Sequence, residues 1–413
     1  MLTITPEAAG FSAERLERIP KVMQGLVDRG NLSGALTLIA RHGRVVHLAT
    51  TGKMDIEASR PMQADAIFRL YSMTKPVTVV AVLMLLEEGH LLLEDPVANW
   101  LPEFANMKVF VRSDGNKVGS TDLGVGSTDF GVEVTDLQRP ITIRHLLTHS
   151  AGLSYGFETG HPVDKLYRQA NLPGGGNEPL AEKISRLCKM PLVSQPGVRF
   201  WYSVAHDVLG HLIELISGRA LDDFFQERIF GPLGMVDTGF YLRRANLDRL
   251  AALYAPRPGS VDAVQRLQRI EGPEVDRTAR PQTLSGGGGL LGTAADYLNF
   301  SQMLLNRGRF EGHQLLSRKT FELLTTPHLP FPPGEAATDL GFEMGLGVAV
   351  LTDLSRSNRR GSLGSFGWGG AAGTRFWVDP QEDMTGILLA QTMPGFWRAA
   401  DLFESLAYGA LQA

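Results

Sequence analysis

The sequence predicts an α+β protein in which helices flank one antiparallel sheet and a mainly helical region is inserted between its strands. Segments with strand-like composition lie near both ends of the chain, whereas helical periodicity fills the middle. The strand-like segments follow one another across short turns, which is typical of an antiparallel sheet and not of a doubly wound parallel one. We therefore expect residues 1–84 and 276–413 to form an α/β domain, residues 85–275 to form a helical domain, and the active site to lie in the cleft between them.

The composition is that of an ordinary globular chain with a sizeable core. It has 413 residues, of which 43% are hydrophobic and 20% charged, and its net charge of −4 is dispersed along the sequence. This pattern argues against a nucleic-acid partner, and the longest apolar run, near residues 77–86, is too short to span a bilayer. The first residues have neither a basic nor an apolar leader segment, so we expect a cytoplasmic protein. Cys188 is the single cysteine, which excludes an intrachain disulfide, and we expect it to be inert.

The first elements follow from periodicity and from helix start and stop signals. Residues 12–29 predict an amphipathic helix that Ser12 caps, Pro20 bends and Gly30 ends. Residues 34–41 and 44–50 predict a hairpin whose turn is His42-Gly43. A helix then runs from Ser72 to about residue 88, and a short helical turn begins near residue 95.

The middle of the chain contains a tandem repeat and then several helices. The repeat, at residues 119–132, has two copies of Gly-Ser-Thr-Asp-x-Gly-Val, too few for a solenoid, and predicts a surface excursion. Helices are predicted at 143–149, 180–190, 205–217, 221–230, 293–305, 317–325 and 397–411. Strands are predicted at 344–351, 364–370, 374–378 and 385–391. Residues 255–280 carry little regular signal, and the glycines at 286–289 indicate an unusual backbone path or close packing against another element.

The segment Ser72-Met73-Thr74-Lys75 is the first candidate for chemistry. A spacing of three residues is close to one helical turn, so both side chains lie on the same helix face. A serine hydroxyl is a weak nucleophile until a neighbouring group takes its proton, and a buried lysine can do this. The alternative interpretation is a helix-capping serine followed by a surface lysine.

Two further segments join this pattern. Tyr202 precedes the helix at 205–217, and Trp368-Gly369-Gly370 lies on a predicted strand. Alone, they are typical of a core tyrosine and a twisted strand. With Ser72-x-x-Lys75, however, they resemble the three-part signature of the serine β-lactamase and penicillin-binding-protein superfamily. Supporting phrases include residues 145–153, 231–235 and 287–296, and the chain is most similar to the class C-like branch that contains the family VIII carboxylesterases and related acyltransferases.

This resemblance implies a β-lactamase-like fold and a set of roles. Ser72 would be the nucleophile, and Lys75 and Tyr202 would share the removal of its proton; which one is the formal base stays open. The backbone N–H groups of Ser72 and Ala371 would form the oxyanion hole. Substrate-binding residues would be Trp368, Gly369 and Gly370, and Tyr155 is a further candidate because it lies next to a signature segment. The resemblance implies a small-molecule ester as partner, with no metal or organic cofactor, and leaves the oligomeric state open.

Two departures from the lactamase pattern favour neutral esters as substrates. Val204 occupies the position of the asparagine in the Tyr-x-Asn motif, and Trp368 occupies that of the lysine in the strand motif. Anionic lactams therefore lose an amide and a cation that would bind them. The alternatives are an acyltransferase, a β-lactamase or D-amino-acid peptidase, and a non-catalytic scaffold.

Two other kinds of site are less favoured by the sequence. No Gly-x-Ser-x-Gly occurs, so the nucleophile elbow of α/β-hydrolases is excluded. His145 and His149 have the i, i+4 spacing of a metal pair, but the glutamate of zincins does not follow His145, and we expect them to make structural hydrogen bonds.

Overall fold

A computed structural model describes residues 1–111, 126–127, 131–173, 178–257, 267–270, 277–329 and 341–412. Its α-helices, in chain order, are α1 Ala13–Leu16, α2 Arg18–Asp28, α3 Thr74–Glu87, α4 Ile143–Leu147, α5 Pro162–Gln169, α6 Leu180–Leu187, α7 Ala205–Ser217, α8 Leu221–Phe225, α9 Ala294–Leu305, α10 Arg318–Leu324 and α11 Trp397–Gly409. Short 3₁₀ turns include Tyr71–Met73 and Val97–Asn99, and a π-helical turn, Gln226–Phe230, continues α8. The surface excursion was predicted for the repeat at 119–132, and most of this repeat lies outside the described residues.

The main sheet is antiparallel throughout, as predicted. Its eight strands are β1 Gly34–Arg41, β2 Arg44–Asp55, β3 Arg60–Pro61, β4 Phe342–Met344, β5 Ala349–Leu351, β6 Phe366–Gly370, β7 Thr374–Asp379 and β8 Met384–Ala390. The strand order is β4-β5-β6-β7-β8-β1-β2-β3, so β8 pairs with β1 and joins the two ends of the sequence. Helices α4 to α8 all come from the segment between these two groups of strands. The division of the chain into two domains stays a prediction.

Apolar side chains point alternately to the two faces of the central strands, which explains why helices cover both faces of the sheet. In β1, Ala35 and Ile39 contribute to a core with α2 and α11, whereas Leu36, Leu38 and Ala40 contribute to the larger core around α3 and α9. Successive side chains of a strand point to opposite faces, so a strand buried on both sides is apolar at nearly every position. The site described below lies on the α3 side of the sheet.

Three details differ from the sequence prediction. The first helix is interrupted at Glu17 instead of bending at Pro20, because a proline at position 20 has no N–H to donate to the carbonyl of Leu16. The predicted strand 344–351 is a hairpin, β4 and β5, because Gly345 and Gly347 lie in its turn and Gly347 has φ 67°. Residues 255–280 contain a short strand pair, Tyr254–Pro256 with Leu267–Arg269.

Other predictions agree closely with the structure. Helix α7 has the bounds given by periodicity, and the 34–41/44–50 hairpin is confirmed, although β2 extends to Asp55. His42 and Gly43 both have positive φ, as the tight two-residue hairpin turn requires. No helix within the described residues is long and apolar enough to cross a bilayer.

Candidate active site

Ser72 lies at the junction between a short strand and a buried helix. Phe68–Arg69 pairs with Leu291–Gly292, and the chain then passes through the 3₁₀ turn Tyr71–Met73 into α3. Tyr71 has φ 47°, a left-handed conformation that costs a non-glycine residue about 1–3 kcal/mol. The sharp change of direction therefore presents Ser72 beside the helix start, where neighbouring strands and loops can reach it.

The amine of Lys75 lies one turn along α3 and is completely buried. Its Nζ donates to Ser72 Oγ at 3.0 Å, to Tyr155 Oη at 3.0 Å and to the carbonyl oxygen of Gly287 at 2.7 Å. An ammonium group has three donors and no acceptor, so these three acceptors satisfy it completely. The surface-lysine interpretation of the sequence is therefore wrong.

Tyr202 reaches the same serine from the loop that precedes α7. Its hydroxyl donates to Ser72 Oγ at 2.7 Å, and its ring lies 4.8 Å from Lys75 Nζ. The ring also packs near those of Tyr155, at 5.1 Å between centroids, and Trp368, at 5.9 Å. The structure thus brings the three residues predicted to be catalytic into direct contact, although Tyr202 lies 130 residues after Ser72 in the sequence.

Strand β6 forms one wall of the site. Trp368, Gly369 and Ala371 line the cavity beside Ser72. Gly370 instead packs behind it, because a Cβ at this position would lie 2.2 Å from the carbonyl oxygen of Leu70. The prediction that Gly370 binds substrate is untested, and its geometry shows a steric requirement for glycine; the role of Ala371 in an oxyanion hole also stays a prediction.

The cavity around Ser72 has a volume of about 890 Å³. Its walls are mainly aromatic and apolar and include rings from the α4–α5 loop, from β6 and from α11. It also has charged groups in its lining, namely Arg69, Arg277, Arg359, Arg375, Asp207 and Asp401. Two of these arginines lie near acidic side chains, since Arg375 is 3.7 Å from Asp401 and Arg359 is 3.9 Å from Glu404.

Tyr155 was predicted to line the substrate pocket, and the structure also places its hydroxyl in contact with Lys75. Burial raises the pKa of its phenol well above the ordinary value, and the nearby Tyr202 and Asp207 raise this pKa further. Tyr155 therefore stays protonated near neutral pH while accepting a hydrogen bond from Lys75. The sequence did not predict the contact between Tyr155 and Lys75, because only the fold places the α4–α5 loop over α3.

The glycines at 286–289 form a backbone ledge under the lysine. A Cβ at Gly287 would lie 2.7 Å from Tyr155 Oη, and one at Gly286 would lie 2.5 Å from the carbonyl oxygen of His206. Thr78 Oγ1 donates to the carbonyl oxygen of Gly286 at 2.7 Å. Close packing, one of the two explanations that the sequence offered for these glycines, accounts for Gly286 and Gly287.

A buried ion pair that the sequence analysis missed supports this ledge. Asp207 accepts hydrogen bonds from Lys183 Nζ at 2.8 Å, from Ser285 Oγ at 2.6 Å and from the N–H of Gly287 at 2.9 Å. Burial raises the pKa of the Asp207 carboxyl, but the Lys183 cation and the hydrogen bonds outweigh it and hold this pKa below its usual value. Asp207 thereby holds Gly287, the residue whose carbonyl oxygen accepts from Lys75.

Replacing Asp207 with asparagine is expected to lower the free energy of unfolding by about 3–5 kcal/mol, because the buried Lys183 cation loses the carboxylate to which it donates at 2.8 Å. Urea unfolding at pH 7 measures this change. The double variant Asp207→Asn/Lys183→Met should recover most of the loss, since it removes the cation together with the carboxylate. A double variant less stable than Asp207→Asn alone would contradict the assignment. Because the pKa of Asp207 is depressed on folding, its contribution is complete above the unfolded pKa of 3.8 and is lost as the pH falls below it.

A known protein family matches nearly the whole chain. The model of a family described as Beta-lactamase matches residues 19–410. The chain belongs to the beta-lactamase family. It is 37% identical over 376 residues to Protein Rv1367c of Mycobacterium tuberculosis, an alignment that covers 89% of this chain and 88% of that one. It is 30% identical to Esterase EstB of Burkholderia gladioli over 406 residues, 94% of each chain.

A similar solved structure leads to the same conclusion. EstCE1, described as a hydrolase with promiscuous acyltransferase activity, superposes with a TM-score of 0.79 at 28% identity, over 96% of this chain and 99% of the other. The β-lactamase-like fold and the resemblance stated from the sequence are thus confirmed. The chain is a serine hydrolase of this family, with an esterase or acyltransferase activity.

Proposed function

We propose that this protein hydrolyses small neutral carboxylic esters, with short acyl or aryl groups, through an acyl-enzyme on Ser72. The observation that carries the proposal is the double hydrogen bond to one hydroxyl: Ser72 Oγ accepts from both Lys75 Nζ and Tyr202 Oη at the wall of a large cavity. A nucleophile in contact with two proton-transfer groups is the arrangement expected for covalent catalysis.

In the acylation step, Ser72 Oγ attacks the ester carbonyl while its proton passes to Tyr202. The tetrahedral oxyanion is stabilised by the N–H groups of Ser72 and Ala371, each of which contributes about 3 kcal/mol in comparable sites. Collapse of the intermediate breaks the bond to the alkoxy oxygen, which takes the proton back from Tyr202 and leaves as the alcohol.

We assign the base role to Tyr202, with Lys75 as the cation that stabilises its phenolate. The three oxygen acceptors around Lys75 Nζ match the three N–H donors of an ammonium group. In the reactive state Tyr202 is a phenolate that accepts the hydroxyl hydrogen of Ser72, which reverses the hydrogen bond of the resting site. In deacylation the same phenolate takes a proton from water, whose oxygen attacks the acyl carbonyl. Collapse of this second intermediate breaks the bond to Ser72 Oγ, which takes the proton back from Tyr202 as the acid is released.

The preference for neutral substrates is supported by the chemistry of β6. Trp368 is 8% exposed and offers an apolar face where a lysine would attract a carboxylate. Arg359 and Arg375 in the same cavity lie near Glu404, which reduces their attraction for an anionic substrate.

Acyl transfer to an alcohol is the second candidate. It uses the same acyl-enzyme, with an alcohol replacing the water. A cavity of about 890 Å³ is large enough to hold an acyl group together with a second small molecule. EstCE1, which shares the fold, is described as having both activities.

The test compares p-nitrophenyl acetate and butyrate with a chromogenic cephalosporin and with a p-nitrophenyl hemiester of succinate. We expect turnover of the two neutral esters to exceed that of both anionic substrates. Mass spectrometry after rapid acid quench should show an acyl adduct on the peptide that contains Ser72. Added butanol should yield a butyl ester if transfer competes with hydrolysis.

Three results would contradict the proposal. Faster turnover of the cephalosporin would favour a β-lactamase, and faster turnover of the hemiester would reverse the assigned charge preference. An adduct on a peptide without Ser72 would remove this residue from the mechanism.

A further inference from the structure

Two fully buried histidines lie behind Tyr202 and take no part in the chemistry proposed above. The ring of His149 lies 4.7 Å from that of Tyr202 and 4.7 Å from that of His206, and it stacks on Trp368 at 6.5 Å with an angle of 15°. Among the described residues, Nε2 of His149 and both ring nitrogens of His206 have no hydrogen-bond partner. His149 is therefore held by its remaining nitrogen and by ring packing.

The remaining nitrogen, Nδ1, is bound to the residue that follows Tyr202. It accepts from the backbone N–H of Ser203 at 3.3 Å and lies 3.2 Å from the Ser203 hydroxyl. A backbone N–H can only donate, so Nδ1 is the acceptor and the ring proton resides on Nε2. The neutral form is supported by the pKa of His149, which burial lowers well below the ordinary value, with His206 and Lys75 lowering it further.

The backbone of His149 supports the same loop. Its carbonyl oxygen accepts from the N–H of Trp201 at 2.8 Å, so one residue binds the chain on both sides of Tyr202. Its own φ is 54°, a left-handed conformation in which asparagine and histidine are more frequent than most residues. Two polar contacts and a ring contact thus fix the peptide units that flank the catalytic phenol.

We propose that His149 is a positioning residue: as a neutral imidazole that accepts the N–H of Ser203, it holds the phenol of Tyr202 in contact with Ser72. The inference rests on the proposed function, because it assumes that Tyr202 transfers the proton. A displacement of Tyr202 by a fraction of an ångström weakens the proton transfer without changing the walls that bind the substrate. Loss of the acceptor therefore lowers kcat and leaves KM nearly unchanged.

Two variants separate the acceptor from the ring. His149→Asn keeps an oxygen that can accept from the Ser203 N–H and suits the left-handed backbone, whereas His149→Phe keeps an aromatic ring and removes the acceptor. With p-nitrophenyl butyrate, we expect His149→Phe to reduce kcat by about 10- to 100-fold, and His149→Asn by less than about 5-fold. KM should change by less than about 3-fold in both variants.

His145, four residues earlier in α4, offers a matched control. Its Nδ1 also accepts a backbone N–H, that of Thr142 at 3.1 Å, but it does not contact Tyr202. His145→Phe should lower the melting temperature while leaving kcat within about 2-fold of the wild type. A loss of kcat in His145→Phe equal to that in His149→Phe would show a general structural effect and overturn the inference.

Nuclear magnetic resonance of ¹⁵N-histidine in the wild-type protein tests the inference even if His149→Phe does not fold. The His149 resonances, assigned by their loss in His149→Asn, should report the Nε2–H tautomer. An Nδ1–H tautomer or a cationic ring would contradict the proposal, as would wild-type kcat in folded His149→Phe. Ester turnover that survives Ser72→Ala would instead refute the proposed function, so the two failures are distinguishable.

Discussion

Replacing Ser72 with alanine is expected to reduce kcat for p-nitrophenyl butyrate by at least about 10⁴-fold, the largest effect of any single substitution in this chain. The alanine has no atom that can form the acyl bond, and Tyr202 and Lys75 lose their shared acceptor. Stopped-flow kinetics should show the loss of both the initial burst and the steady-state turnover. The adduct on the Ser72 peptide should also disappear.

Ser301→Ala is the matched control for Ser72→Ala. Ser301 is a fully buried serine whose hydroxyl donates to the carbonyl oxygen of Tyr297 within α9, away from the cavity that Ser72 lines. Its loss should cost about 1 kcal/mol of stability and leave turnover within about 2-fold. Turnover by Ser72→Ala within about 10-fold of the wild type would eliminate Ser72 as the nucleophile.

Lys75→Met is expected to lower kcat by about 10³-fold, because it removes the cation that stabilises the Tyr202 phenolate. Methionine is similar in length and apolar, so the buried position remains filled and the variant should fold. Labelling of Ser72 by a fluorophosphonate should slow by a similar factor, since that reaction needs the same activated hydroxyl. Both rates are measured on protein whose circular dichroism matches that of the wild type.

Thr78→Val, one turn further along α3, distinguishes loss of the cation from disturbance of the glycine ledge. Thr78 donates to Gly286 as Lys75 donates to Gly287, but it does not contact Ser72. Thr78→Val should therefore reduce stability and leave kcat within about 3-fold. An equal loss of kcat in both variants would indicate that Lys75 acts only by holding the ledge.

The sequence predicted the fold class well, because local patterns decide it. The hairpin of β1 and β2 follows from residues with β propensity around His42-Gly43, and the bounds of α7 follow from its apolar period. Where a local rule competed with chain geometry, the prediction was wrong. Residues 344–351 look like one strand by composition, but Gly345 and Gly347 turn the chain back on itself.

The three residues of the proposed catalytic centre were found because each belongs to a short motif. Ser72 and Lys75 are close in sequence, and Tyr202 was identified from the resemblance. Asp207 and His149 were not assigned such roles. A single aspartate in a helix and a histidine in an apolar segment carry no local signal of the partners that burial gives them.

The sequence by itself determined the periodicity, the turns and the motifs, because these depend on residues a few positions apart. Only the tertiary structure decided what the three N–H groups of Lys75 contact, why Gly370 has no room for a side chain, and which histidine supports the Tyr202 loop. Apart from the contact of Lys75 with Ser72, these contacts join residues separated by at least 54 and in some cases more than 200 positions. Their geometry depends on how the sheet and helices pack together, which no local pattern encodes.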